Sequence, residues 1–77
     1  MRKPKFARHS WVVKVADIVV TSIEQIWVVD EQFENDEHVI CRRWRNGQSI
    51  EKKVLNEEDL RSITCNEFIR VLTTHKK

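Results

Sequence analysis

The stretch that decides the fold is His38-Val39-Ile40-Cys41-Arg42-Arg43-Trp44-Arg45-Asn46-Gly47-Gln48-Ser49-Ile50-Glu51-Lys52-Lys53-Val54-Leu55. Two runs rich in β-branched residues flank Asn46-Gly47, a pair that suits tight antiparallel turns because it tolerates positive φ. The one glycine of the chain therefore marks a hairpin between a strand from His38 to Arg45 and a strand from Ser49 to Leu55. Two registers are open. A two-residue turn pairs Arg45 with Gln48, gathers Val39, Cys41, Ile50 and Val54 on one face and exposes Trp44 on the other. A longer loop from Arg45 to Ser49, with a bulge at Arg42-Arg43, sets Trp44 opposite Ile50 in the core. The second is preferred, because burying a Trp stabilises so short a chain more than an ideal turn does.

Upstream, Trp11 to Thr21 is dense in Val and Ile, with an alternation broken near Ala16-Asp17 that predicts a bent or bulged first strand. Gln25 to Phe33 repeats the pattern as a second strand, and the acidic segment from Asp30 to Glu37 is polar enough to form a hairpin loop. Four strands in sequence predict an antiparallel meander. After Leu55, Asn56-Glu57-Glu58-Asp59 puts a capping side chain and three carboxylates where exposed helix N–H groups favour them. A helical turn is expected there, with Leu60 and Ile63 three apart. Phe68, Ile69 and Leu72 then offer a second apolar stripe, against a competing strand from Phe68 to Thr73. Arg70, Lys76 and Lys77 suit the C-terminal end of a helix.

Several of these residues carry a resemblance. Asp17-Ile18-Val19 at the first strand, Cys41, and the run from Trp44 through Asn46-Gly47 to Leu55 and Leu60 resemble the YodC-like family of short uncharacterised bacterial proteins. The resemblance implies a small SH3-like barrel. Here Ser22-Ile23-Glu24-Gln25 replaces the family's Gly-Gly-Pro turn. Cys41-Arg42-Arg43-Trp44 is one residue longer than the family's Cys-x-Trp, an excess that a β-bulge accommodates by returning Cys41 and Trp44 to one face. The expected architecture is mainly β: a small antiparallel SH3-like barrel of four or five strands with a C-terminal helical segment. Residues 1–10 are expected to be a basic flexible lead-in, and residues 11–77 one domain. The family carries no catalytic residue across, and fold does not dictate activity.

The 77 residues, 40% hydrophobic and 34% charged, suit one small globular unit and leave little room for a deep cleft. Ordering each residue costs about 1.5 kcal/mol, which nearly cancels the burial so small a core provides, so support from a terminal helix or a second chain is expected. No apolar run approaches the roughly 20 residues needed to span a bilayer, and no hydrophobic signal core follows the basic start, so a cytoplasmic protein with reduced thiols at Cys41 and Cys65 is expected.

The net charge of +2 lacks the strong field of a dedicated duplex-DNA binder, yet charge is segregated. Residues 1–14 carry five bases and no acid, residues 15–37 seven acids and no Lys or Arg, and residues 38–55 return to a net +4.

Metal binding would draw on His9, His38, Cys41, Cys65 and His75, which show none of the usual ligand spacings. Nucleophilic catalysis has one close pair, His38 and Cys41, with no oxyanion loop or phosphate-binding glycine cluster beside it. The expectation is a non-enzymatic module without cofactor that binds a protein partner, of the kind that phages and mobile elements use to modulate larger machines. Trp27 and Trp11 are candidate anchors, because Trp27 faces away from Ile26 and Val28 in an alternating strand; self-association is a further route to stability. The alternative is a nucleic-acid-binding accessory protein. There Arg42, Arg43 and Arg45 would fork to phosphates around an exposed Trp44, Lys52 and Lys53 would lie across from them, and the basic N-terminus would add attraction. Against it, an arginine of this strand can pair with Glu51 across the hairpin, and the bases can balance the acidic loop.

Overall fold

A computed structural model describes residues 3–45 and 49–75. The strands are β1 (Trp11–Lys14), β2 (Ile26–Gln32), β3 (His38–Arg45), β4 (Ser49–Asn56) and β5 (Leu60–Ser62), followed by helix α1 (Cys65–His75). They form one antiparallel sheet in the order β4-β3-β2-β1-β5. The mainly β expectation holds, but the sheet is open and the barrel is corrected. β5 is three residues long and committed to β1, so nothing joins it to β4.

The hairpin strands lie where the sequence puts them, and β3 pairs with β4 without a register shift, Trp44 opposite Ile50 and Arg45 opposite Ser49. The Asn46-Gly47 turn itself lies outside the described residues. The bulge expected at Arg42-Arg43 is absent; instead the ladder between β2 and β3 slips between Val29 and Glu31, leaving Asp30 as the extra residue. Strand alternation then sends Cys41 and Trp44 to opposite faces. Trp44 is exposed, not core.

Other expectations shift for physical reasons. The first strand stops at Lys14, where Asp17 N–H returns to the Lys14 carbonyl at 2.9 Å, so the break at Ala16-Asp17 ends a strand instead of bending it. Asp17-Ile18-Val19 therefore lie in the connection, and Val20 turns back into the core. Ser22-Ile23-Glu24-Gln25 makes a capped 3-10 turn: the Ser22 hydroxyl accepts from the Glu24 N–H at 3.2 Å, and the Gln25 side-chain carbonyl accepts from the Ser22 N–H at 3.0 Å. In the acidic loop Asn35 takes φ 61°, a left-handed position that Asn tolerates. Asn56 does cap a turn, accepting from the Glu58 N–H at 2.9 Å, but the turn is a single 3-10 turn, and Leu60 enters β5. The helix begins later, where Thr64 and Glu67 cap each other, and the competing strand from Phe68 to Thr73 is overturned. Of the expected stripe, Phe68 is half-buried while Ile69 and Leu72 are exposed; Val71 is the buried member. Lys76 and Lys77 lie outside the described residues.

Two small cores form, one on each face of the sheet. On the first, Val12, Trp27, Val29, Val39, Cys41 and Leu60 are buried with Phe6 laid over them. On the second, Val13 and Ile26 pack with Val20 and with Val71 of α1. Part of the lead-in is thus structural. Phe6 is buried, its N–H donates to Gln32 Oε1 at 3.1 Å, and the Val29 N–H donates to the Ser10 carbonyl at 2.9 Å. Packing begins before Trp11.

Candidate functional site

Helix α1 covers the second face over β1 and β5, and among the described residues nothing covers the hairpin half of that face. Register and alternation put Trp11, Val28, Ile40, Arg42, Trp44, Ile50, Lys52 and Val54 there. Trp44 is 51% exposed, Ile50 50% and Val54 57%, a clustering of large apolar side chains that monomeric surfaces seldom keep without use. Trp11 meets Phe68 of α1 edge-on, with ring centroids 5.0 Å apart. Trp11 also lines a groove of about 110 Å³ together with Ile23, Ile26, Val28, Arg43 and Trp44. A second hollow, of about 210 Å³, is lined by Val28, Arg42, Arg43, Trp44 and Ile50.

The cations expected to act together are divided between the two faces. Arg42 and Lys52 are paired on the bare face beside Trp44. There Arg42 Nε reaches Asp30 Oδ1 at 3.1 Å, because the bulge turns Asp30 toward it. Arg43 and Lys53 belong to the other face. Arg43 Nε donates to Glu51 Oε1 at 2.9 Å, and its Nη1 to the Glu24 carbonyl at 3.0 Å. Lys53 is exposed, opposite Cys41. The side chain of Arg45 lies outside the described residues. Trp27, expected as an anchor, is 1% exposed within the first core, on the face away from α1, and cannot meet a partner.

The one pair with catalytic potential is separated by alternation, since His38 and Cys41 are three apart on an unshifted strand. His38 is exposed with Nδ1 3.0 Å from Asp36 Oδ1, while burial first, and Asp30 second, push the Cys41 thiol up to about 11. A thiol held protonated in this way is a poor nucleophile. Among the described residues no three His, Cys, Asp or Glu side chains gather as metal ligands, and no helix is long and apolar enough to cross a membrane.

Sequence reasoning missed the groove because its lining comes from β1, the 3-10 turn at Ile23, β2 and β3. The exposure of Trp44 was legible in the alternation of β3, once the bulge was not assumed. No family model, no curated protein and no solved structure matches the chain.

Proposed function

We propose that this protein is a non-enzymatic binding module that takes a protein partner on the bare half of its second sheet face. The observation that carries this is the exposed row Trp44, Ile50 and Val54 on two paired strands beside a groove lined by Trp11, Ile26, Val28 and Trp44. A rigid aromatic anchor surrounded by aliphatic side chains is the composition of an interface hot spot. Arg42 and Lys52 stand on the same face, so the fitting partner is a segment with apolar anchors flanked by carboxylates. The nucleic-acid reading is less well supported: Lys53 lies on the opposite face from Trp44, Arg43 is held by Glu51 and the Glu24 carbonyl, and Arg42 is joined to Asp30.

Selection from a random peptide library on the immobilised protein tests this. Enrichment of apolar sequences with flanking Asp or Glu is expected, and loss of that enrichment with Trp44→Ala. Retention of mixed-sequence DNA or RNA that weakens steeply with salt, with no peptide enriched, would overturn the reading.

A further inference from the structure

We infer that the outer edge of β4 pairs antiparallel with β4 of a second copy of this chain, about a two-fold axis at Lys52. Among the described residues β4 pairs with β3 alone, so an eight-residue strand ends the sheet with no strand on its outer side. An edge this long and free of bulges is a template for another strand unless its side chains prevent pairing.

Lysine is the usual blocker, and Lys52 and Lys53 lie mid-strand. Their neighbours change the outcome. Read against itself antiparallel about Lys52, the segment Ile50-Glu51-Lys52-Lys53-Val54 sets Ile50 opposite Val54 twice and Glu51 opposite Lys53 twice, with one Lys52 facing its own copy. Shifting the axis by one residue toward Lys53 sets Lys53 against itself and Glu51 against Leu55, and both ion pairs are lost. Glu51 accepts from Arg43 Nε at 2.9 Å, and a carboxylate accepts from several donors at once.

Alternation makes the same axis productive for the surface. Ile50 and Val54 share a face with Trp44, so Ile50 of one copy meets Val54 of the other and the two apolar rows join into one band across the axis. The pairing also gives this small chain the outside support its size calls for. The inference rests on the edge and its charges, not on the partner proposed above.

Native mass spectrometry and sedimentation across concentration test it, with circular dichroism as a check of folding. The full chain is expected to dimerise. Lys53→Glu turns both ion pairs into repulsions and is expected to weaken the dimer about tenfold or more. A mixture of the unaltered chain with Lys52→Glu is expected to give heterodimer well above the statistical half, because a lysine of one copy then faces a glutamate of the other at the axis. Trp44→Ala is expected to lose peptide capture and keep the dimer, which separates failure of this inference from failure of the binding reading. A chain that stays monomeric at high micromolar concentration would overturn the pairing and make Lys52 and Lys53 blockers of the edge. A dimer indifferent to Lys53→Glu, or a statistical mixture with Lys52→Glu, would overturn it equally.

Discussion

The guanidinium carbon of Arg43 lies 4.3 Å from the centroid of the Trp27 ring, and Nε of the same side chain is 2.9 Å from Glu51. Arg43 thus closes the end of the first core with a cation stacked on an aromatic face and neutralised from the neighbouring strand. Trp27 Nε1 is buried with no hydrogen-bond partner among the described residues, so the ring acts through shape and its π face.

Arg43→Lys keeps the charge and loses the planar stack, and is expected to cost about 1–2 kcal/mol of unfolding free energy. Arg42→Ala removes an exposed pair with Asp30 and is expected to cost no more than about 0.5–1 kcal/mol. Urea titration of both variants checks the order; equal losses would mean that the contact with Trp27 contributes nothing.

A buried polar node fastens the N-terminal segment. Gln32 accepts from the Phe6 N–H and donates through Nε2 to the Asp36 carbonyl at 2.9 Å and to Glu57 Oε1 at 2.5 Å, so one side chain joins the lead-in, β2, the acidic loop and the turn after β4. Gln32→Leu leaves the buried Phe6 N–H without its acceptor and is expected to destabilise by about 2–3 kcal/mol. Phe6→Ala is expected to cost about 3 kcal/mol or more through lost burial. A denaturation midpoint unchanged in Phe6→Ala would show that folding does not need the segment before Trp11.

The hairpin strands were legible because a local signal, β-branched runs around the one Asn-Gly pair, needs no tertiary information. The placement of the bulge was not. Asp30 is polar and lies at the edge of an acidic loop, so nothing local distinguishes it from Glu31, and its role follows from matching β2 to β3. The spacing of three between Leu60 and Ile63 suggests a helix, because a three-residue strand is too short to show a period of two. Trp44 misled for an energetic reason, since the argument that a small chain must bury its tryptophans holds for Trp27 but not for a residue on the opposite parity of β3.

The two cysteines stand in contrasting environments. Cys41 is buried with its thiol pushed up to about 11, and Cys65 is exposed at the start of α1. A thiol reagent at neutral pH is expected to label one thiol quickly and the second at a rate set by unfolding. Cys65→Ser is expected to abolish the fast phase and leave the slow one. Two fast phases would mean that the first core opens easily at Cys41.

Glu67 makes the chain sensitive to acid. Both of its oxygens meet Arg61, at 2.8 and 2.6 Å, one also accepts from the Thr64 N–H at 2.9 Å, and Arg61 Nη2 reaches the Asp17 carbonyl at 3.1 Å. Glu67 thereby ties the start of α1 to β5 and to the connection after β1. The Arg61 hydrogen bonds first, and the Thr64 N–H second, hold its carboxyl down at about 2, below an ordinary value of 4.5. A carboxylate whose folded value is depressed contributes stability that is fully present above its unfolded value and is lost as pH falls toward the folded one. The contribution of Glu67 is therefore expected to be complete at neutral pH and to disappear between about pH 4.5 and about 2. Glu67→Gln is expected to lower stability at pH 7 by about 1–2 kcal/mol, through the lost cap and charge-assisted pair, and to flatten the acid limb in that window. Thermal melts of the two proteins from pH 7 to pH 2 check this, and parallel curves across the window would remove Glu67 as the source of the acid response.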